Sequence, residues 1–201
     1  STDRPYRPFL INWAGSSLQI QSSELVGLGY NENLSRGVTS ARSSQQSAAV
    51  APVHVLISDS TFEDMSVGLE LNHALVRVSD SRFSQMQQYA MDLSDSRVSL
   101  SRNRVDGVRN LSGIRLSGNT DGRIEGNQIL RADKSAIEIT ALRGSVIVRI
   151  NQLGAGAGYG VLLRELGADA PLLIADNFIG NTKLSAIDGA NVHQLSITGN
   201  S

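Results

Sequence analysis

The stretch "LSRNRVDGVRNLSGIRLSGNTDGRIEGNQI", residues 100–129, contains a full period of a repeat. The pattern aliphatic-x-x-Asn-x-apolar begins at Leu100 and begins again at Ile124. Between the two lies a second pattern, small-aliphatic-x-aliphatic, which begins at Gly113. Alternating residues in short runs, separated by Gly, Ser and Asn, are typical of β-strands joined by tight turns. This stretch therefore predicts a coil built from short strands.

Both patterns run through the chain in phase. The first carries an Asn or Ser anchor at Ser23, Ser60, Ser81, Asn103, Asn127, Asn151, Asn177 and Asn200, so that successive anchors are 37, 21, 22, 24, 24, 26 and 23 residues apart. Short strands at this period, without any 3.6-residue periodicity, predict an all-β fold: a single-stranded right-handed parallel β-helix of about eight coils. We expect each anchor to occupy a coil corner with a left-handed backbone, where stacked polar side chains hydrogen-bond along the axis.

The period also predicts the domain organisation. We expect one β-helix domain over residues 1–201, cut from a longer chain, because the repeat stops partway through a coil after Asn200. The long first step contains residues 40–52, which are poor in large apolar side chains and end in Pro52, and which predict an inserted loop. An uncovered last coil would leave strand edges open for self-association or for the rest of the parent chain.

Composition excludes several classes of function. Eighteen basic and nineteen acidic residues give a net charge of −1, which does not favour nucleic acid or an anionic membrane as a partner. No apolar run approaches the roughly 18 residues of a membrane-spanning segment. The chain has no cysteine and no clustering of its histidines, and "GAGAGYG", residues 154–160, has no helix pattern after it to bind phosphate. We predict no metal and no cofactor.

One row of residues on the outside of the predicted coils is unusually polar. The residue between the two aliphatics of the second pattern should point outwards, and stacking aligns Thr39, Glu70, Asp92, Arg115, Glu138, Leu162 and Asp188. We expect Arg115 to donate to both Asp92 and Glu138. The row is either a charge ladder that sets the register or a surface for an extended polysaccharide, in which Glu70, Asp92, Arg115 and Glu138 bind the substrate.

Two further features are compatible with an acidic polymer as the partner. Alignment of the coils places His73 above Asp95, and a carboxylate beside an imidazole can make a base near neutral pH, although a weak surface pair is the simpler interpretation. Residues 97–131 contain seven arginines against three acids, so the middle coils are locally basic. A solvated face is the plainer meaning of such a run.

The sequence resembles the periplasmic mannuronan C5-epimerases of alginate biosynthesis, which are right-handed parallel β-helix enzymes. The likeness is carried by residues 7–38, which contain "WAGS" and "LGYN", and by "STFEDMSVG", residues 60–68. In that family the next coil carries Asp-Pro-His-Asp, whose His is the catalytic base, and the coil after it carries a Ser-Arg pair. Here these places hold Asp92-Leu93-Ser94-Asp95 and Ser117-Gly118, so the imidazole and the guanidinium are missing.

The resemblance implies a bacterial periplasmic or extracellular protein that meets an alginate-like polymer. We predict a module that binds an extended uronate polymer along one face and has lost catalysis. The alternative is an active C5-epimerase or lyase that uses His73, Asp92, Asp95 and Arg115. A third interpretation is a purely structural repeat.

Overall fold

The fold is a stack of parallel β-strands, and no helix occurs among the residues that the structure describes. The computed structural model describes residues 7–42, 50–154 and 156–201. Within these ranges the chain forms twenty-three short strands, numbered in chain order, and every strand pair is parallel. The described residues contain no helix of a length and hydropathy that would cross a bilayer.

The strands form three sheets that run along the axis of the solenoid. The first sheet contains β1 (Leu10–Trp13), β4 (Val38–Ala41), β7 (Leu69–Asn72), β10 (Met91–Ser94), β13 (Ile114–Ser117), β16 (Ser135–Thr140), β19 (Tyr159–Arg164) and β22 (Ile187–Ala190). The second contains β2 (Ser17–Gln21), β5 (Val53–Ser58), β8 (Ala74–Ser79), β11 (Arg97–Ser101), β14 (Asp121–Glu125), β17 (Val146–Arg149), β20 (Leu172–Ala175) and β23 (Leu195–Thr198). The third contains β3 (Glu24–Val26), β6 (Thr61–Glu63), β9 (Arg82–Met86), β12 (Arg104–Val108), β15 (Gln128–Ala132), β18 (Gln152–Gly154) and β21 (Phe178–Gly180).

Each coil passes through the three sheets in turn. Since a strand pairs with the strand three places further along the chain, the described residues make eight coils, which confirms the predicted parallel β-helix. Inward-facing aliphatic side chains stack into continuous columns, as alternation in strands requires. Two such columns of the first sheet are Val38, Leu69, Met91, Ile114, Ile137 and Val161, and Leu71, Leu93, Leu116, Ile139 and Leu163, all buried. In the third sheet the Phe62 and Phe83 rings stack with centroids 4.6 Å apart.

The predicted anchors form a ladder at the corner between the second and third sheets. Side-chain Nδ2 of Asn103 donates to Oδ1 of Asn127 at 3.0 Å, and Nδ2 of Asn127 donates to Oδ1 of Asn151 at 3.0 Å. Toward the N-terminus serines take over, since the backbone N–H of Ser60 donates to Oγ of Ser81 at 3.1 Å. These bonds satisfy buried polar groups along the whole corner.

The position of the left-handed residue differs from the prediction. The positive φ angles fall on the residue before each anchor, at Ser22, Asp59, Asp80, Arg102, Gly126, Ile150, Asp176 and Gly199. The anchor itself points into the corner and pairs with its neighbours, so the preceding residue makes the turn of the backbone. The corner thus needs the anchor for its hydrogen bonds and not for its backbone freedom.

The predicted loop over residues 40–52 is described only at its two ends. Residues 40 and 41 finish β4, and residue 53 begins β5. Residues 43–49 lie outside the described ranges. The prediction of a single domain cut from a longer chain stays a prediction.

Candidate functional site

The polar row of the first sheet has the predicted register. Its members pair in sequence from Ile11 of the first coil through Thr39, Glu70, Asp92, Arg115, Glu138, Leu162 and Asp188. Adjacent members are separated by one coil, about 4.8 Å along the axis. The four residues that we predicted to bind substrate therefore lie on successive strands β7, β10, β13 and β16.

The row is more deeply buried than an outward-facing ladder would be. Asp92 is 8% exposed and Glu138 is 5% exposed, and Thr39 and Leu162 are buried as well. The reason lies in the corners that lead from the third sheet into the first, where side chains fold back over the row. Tyr89 and Ser112 from two of these corners contact members of the row directly. The row is thus partly shielded from solvent by side chains of these corners.

Arg115 bonds to one neighbour and not to both. Its Nε donates to Oδ1 of Asp92 at 2.8 Å, and its Nη1 lies 3.4 Å from the hydroxyl of Tyr89. The guanidinium carbon also lies 5.0 Å from the centroid of the Tyr89 ring, which is the range of a cation–π contact. The predicted bond to Glu138 is not formed, because the guanidinium turns toward Tyr89 and Asp92.

Glu138 and Glu70 each have a cation of their own. Oε1 of Glu138 accepts from Nζ of Lys134 at 2.6 Å, and its Oε2 accepts from Oγ of Ser112 at 2.6 Å. Oε1 of Glu70 accepts from Nη1 of Arg36 at 2.9 Å. The three cations Arg36, Arg115 and Lys134 retain 33–39% of their side-chain exposure. Asp92 and Glu138 therefore lie beneath their cations, whereas Glu70, whose side chain is 28% exposed, lies beside Arg36.

Burial sets the direction of the pKa shift at two carboxylates of this row. It raises the pKa of the Asp92 carboxyl above its ordinary 3.8, and the charge and hydrogen bond of Arg115 offset only part of that rise. Burial likewise raises the pKa of Glu70 above 4.5, while Arg36 opposes the change. The Tyr89 hydroxyl has a raised pKa for the same reason. For Arg115, burial is outweighed by Asp92, and the net effect raises its pKa and keeps the guanidinium charged.

The segment Asp92-Leu93-Ser94-Asp95 ends strand β10 and turns into the next corner. Leu93 is fully buried in the core, and Ser94 is partly exposed. Side-chain Nδ2 of Asn72, one coil earlier, donates to Oγ of Ser94 at 2.8 Å and to Oδ2 of Asp95 at 3.1 Å. Ser94 and Asp95 are therefore tied into a local network of neutral donors.

His73 lies one coil before Asp95, as predicted, but the two side chains do not bond. Nε2 of His73 is 3.1 Å from the carbonyl oxygen of Val50, and Asp95 instead accepts from the backbone N–H of Asn119 at 2.9 Å. Both residues have positive φ at the corner between the first and second sheets, and both line a pocket of about 210 Å³. Arg115 does not line that pocket, so the four predicted catalytic residues do not converge on one cavity.

Gly118 lies one coil after Asp95, at the place where the resemblance to the epimerases implies an arginine. Its φ is +66°, and a Cβ there would lie 2.3 Å from Oδ1 of Asp95. A side chain at this position would collide with the carboxylate of the preceding coil. The absence of a side chain at position 118 and the position of the Asp95 carboxylate are therefore sterically linked.

The basic run over residues 97–131 divides into paired and unpaired arginines. Four of its seven arginines bond to acids: Arg102 to Asp80, Arg104 and Arg131 to Asp106, and Arg115 to Asp92. Burial acts to raise the pKa of Asp106, but the hydrogen bonds and charges of Arg131 and Arg104 prevail and lower it. Arg97, Arg109 and Arg123 bond through their side chains to no described residue.

Sequence reasoning missed the residues that cover the row. Arg36, Tyr89 and Ser112 each stand immediately before the small residue of the second pattern, at Gly37, Ala90 and Gly113. That fixed offset is the signal that could have identified them, because a side chain there comes from the corner and reaches the start of the strand. Lys134 stands two places before Ala136 and would not have been found by the same rule.

The described residues contain no group of three or more His, Cys, Asp or Glu side chains placed to hold a metal ion. The model of a family described as "Right handed beta helix region" matches residues 37–201. A sequence comparison with curated proteins finds no match.

Solved structures with the same fold are crystal structures of the periplasmic alginate epimerase AlgG. A threonine-to-asparagine mutant superposes with a TM-score of 0.88 and 23% identity, and covers 100% of this chain and 48% of that chain. For an aspartate-to-alanine mutant the TM-score is 0.66 and the sequence identity is 16%, and the match covers 100% of this chain and 63% of that chain. The chain thus spans about half the length of the first of these structures. At these identities the likeness establishes an AlgG-like right-handed β-helix.

Proposed function

Because the chain belongs to the family of right-handed β-helix regions, we propose that it uses its outer surface to bind an extended uronate polysaccharide along the first sheet, without catalysis. Its interior is filled by aliphatic columns. The observation that carries the proposal is the arrangement of Arg36, Arg115 and Lys134. Each is held by a carboxylate of the row, which is buried for Arg115 and Lys134 and half-buried for Arg36, and each keeps about a third of its side-chain surface open.

This arrangement suits a chain of acidic sugars. Donors held by buried acids are pre-organised, so that little side-chain entropy is lost when a ligand carboxylate arrives. The heads of Arg36, Arg115 and Lys134 contact strands β7, β10 and β16, and therefore form a line along the axis. Guanidinium and carboxylate groups make charge-assisted, often bidentate hydrogen bonds. A polymer with a carboxylate on each sugar would find partners along this line.

The residue types at the corner between the first and second sheets disfavour catalysis. Abstraction of a proton next to a carboxylate needs a base within hydrogen-bond reach and a cation to stabilise the charge that develops. Ser94 has no basic group, and its hydroxyl accepts a hydrogen bond from Asn72. Gly118 supplies no cation. The likeness to an alginate epimerase motivates an alginate-like ligand, a periplasmic or extracellular location and a longer parent chain.

Calorimetric titration with an oligomer of mannuronate tests the binding proposal. Wild-type protein should bind, and binding should weaken with added salt, since exposed charges are screened. Arg115→Gln should weaken binding several-fold. The matched control is Arg102→Gln, which removes an arginine paired with Asp80 on another corner and should leave the affinity unchanged. Equal binding of a neutral glucan would count against the proposal, and failure of every oligosaccharide to bind would leave the structural-repeat interpretation.

An active epimerase or lyase is the second candidate, and one observation favours it. A carbonyl oxygen can only accept, so the contact of Nε2 of His73 with Val50 assigns the ring proton to Nε2 and leaves Nδ1 of the neutral ring with a free lone pair. Asp95 lines the same pocket. This imidazole could serve as the base that Ser94 lacks. It stands one coil, about 4.8 Å, from the usual place.

Proton exchange at C5 of polymannuronate in deuterated water, together with ultraviolet absorbance of an unsaturated product, separates the two candidates. The binding proposal expects neither signal. Exchange that disappears in His73→Gln but persists in His193→Gln would establish the epimerase instead. His193 is a matched control because it is an exposed histidine that stands just before β23, away from the pocket that holds His73.

A further inference from the structure

The outer face of the second sheet carries a groove that the first-sheet row does not include. The groove has a volume of about 730 Å³ and is lined by residues of β2, β5, β8 and β11. Its charged and titratable members are Arg77, Arg97 and His54, and none of its lining residues is acidic. A chain with a net charge of −1 thus presents a locally cationic groove.

Three arginines of this face are free, whereas Arg149 of the same sheet pairs with Glu125 at 2.8 Å. Arg77, Arg97 and Arg123 are exposed and bond through their side chains to no described residue. The acid in register with Arg97 is Asp121, and its Oδ1 already accepts from the backbone N–H of Ser145 at 2.8 Å. The donors of the three guanidiniums are therefore available to a ligand.

The three arginines lie on successive coils in a zigzag. Arg77, Arg97 and Arg123 belong to β8, β11 and β14, which are neighbours in the sheet. In the pairing register Arg77 and Arg123 both stand opposite Ser99, whereas Arg97 stands two residues to one side. The cations thus step by about 4.8 Å along the axis and alternate by about 6.6 Å across it.

The groove also has an apolar part. Leu56 stands in register with Arg77 and is 41% exposed, and Leu75 stands in register with Arg97. Each leucine thus lies one coil before a guanidinium. Sugar rings have apolar C–H faces beside their polar substituents, so a leucine and an arginine on adjacent coils suit one ring and its carboxylate. No Phe, Tyr or Trp side chain lines the groove, which disfavours single-stranded nucleic acid because its bases bind mainly by stacking on such rings.

We propose that this groove is a second polysaccharide-binding surface, which takes a uronate chain along the axis with successive carboxylates pointing to alternate sides. A 1,4-linked chain with a twofold screw, such as polymannuronate, has that alternation. The ligand class rests on the proposed function of the first sheet, but the surface does not: it is built from different strands and different cations.

Ser99 allows a test that does not depend on removing a charge. It lies between Arg77 and Arg123 in register and is exposed, so Ser99→Glu places a carboxylate within the groove, where it can pair with both arginines. The variant should melt at or above the wild-type temperature and yet lose binding, because the new carboxylate competes with the ligand. Loss of the fold would produce the opposite change in melting temperature.

The experiment is a calorimetric titration of an oligomannuronate into the whole chain and its variants. We expect Arg77→Gln and Arg97→Gln each to weaken binding about fivefold, as one exposed charged contact does, and Ser99→Glu to weaken it further. Arg82→Gln removes an exposed arginine of the third sheet and should change affinity by less than about twofold.

The outcomes separate the two surfaces. If Arg115→Gln weakens binding while Arg77→Gln, Arg97→Gln and Ser99→Glu bind as wild type, the second surface is refuted and the first-sheet proposal stands. If the groove variants lose affinity and Arg115→Gln does not, the first-sheet proposal fails alone. Tighter binding of a single-stranded DNA oligomer of equal charge would overturn the assignment of the groove to a polysaccharide.

Discussion

Nε of Arg115 donates to Oδ1 of Asp92 across one coil, and the ring of Tyr89 lies beside the same guanidinium. The acid is buried, while the arginine is one-third exposed. No other described side chain pairs with Asp92. Removal of the single partner of a buried carboxylate leaves an unpaired buried charge, which lowers the stability of the fold. The first sheet should therefore be sensitive to substitution of Arg115.

Arg115→Gln should lower the free energy of unfolding by about 2 kcal/mol, less than the loss of a fully buried partner because Arg115 is partly solvated. Urea denaturation measures the change. In the double variant with Asp92→Asn the loss should largely disappear, because no unpaired charge then remains. Equal losses in the single and double variants would contradict this account.

The stability of the row should depend on pH with a defined sign. Since the folded-state pKa of Asp92 is raised above 3.8, its contribution to stability is fully present below about pH 3.8 and is lost as the pH rises through the folded value. Asp92→Asn removes that loss. The difference in unfolding free energy, variant minus wild type, should therefore increase between pH 3 and pH 7.

Asp106 supplies the opposite case. Its folded-state pKa is lowered, so its contribution is present above pH 3.8 and is lost as the pH falls through the lower folded value. For Asp106→Asn the same difference should become more negative as the pH rises from 3 to 7. Curves of the same sign for the two variants would refute the assignment of burial to Asp92 and ion pairing to Asp106.

The amide ladder should be costly to interrupt. Oδ1 of Asn127 accepts from the backbone N–H of Asn103 at 2.9 Å, and Nδ2 of Asn127 donates to Oδ1 of Asn151. Asn127→Ala leaves these buried partners unsatisfied and should destabilise the protein by about 3 kcal/mol, as measured by urea denaturation. Asn119→Ala, at an exposed corner, should cost less than about 0.5 kcal/mol.

Introduction of the histidine and the arginine that the epimerase resemblance implies should be limited by Gly118. Ser94→His replaces a partly exposed side chain and should fold as wild type. Gly118→Arg should lower the unfolding free energy by about 1–2 kcal/mol, because it strains a left-handed position and displaces the Asp95 carboxylate from the N–H of Asn119. Asp95→Ala should relieve part of that cost. An undiminished stability of Gly118→Arg alone would show that the carboxylate moves freely.

The coil architecture could be predicted because it is repeated. Anchors and aliphatic pairs recur in phase, so a strand that is ambiguous in one coil can be assigned from the equivalent positions of the others. The register of Glu70, Asp92, Arg115 and Glu138 was predicted for the same reason and is confirmed. The predicted anchors likewise hydrogen-bond along the axis. Their left-handed neighbours were misplaced by one residue, because Asn is itself common in that conformation.

The environment of the row could not be predicted, since it depends on corners that do not repeat. The alternation of β16 does not indicate that Lys134 bonds to Glu138. The alternation of β13 likewise does not indicate that the Arg115 guanidinium turns toward Tyr89 and away from Glu138. The partner of His73 could not be predicted because it is the backbone carbonyl of Val50, and every residue type has such a carbonyl. Catalytic roles for His73, Asp92, Asp95 and Arg115 stay predictions.

The ladder of anchors gives the solenoid a polarity. The side-chain amides of Asn103, Asn127, Asn151 and Asn177 each donate to the Asn of the next coil, so the side-chain dipoles are aligned head to tail, as peptide dipoles are in an α-helix. A duplicated coil inserted in frame would continue this column without altering either neighbour. The corner thus makes the coil a unit of insertion, and the length of the three sheets can change by whole coils while their geometry is kept.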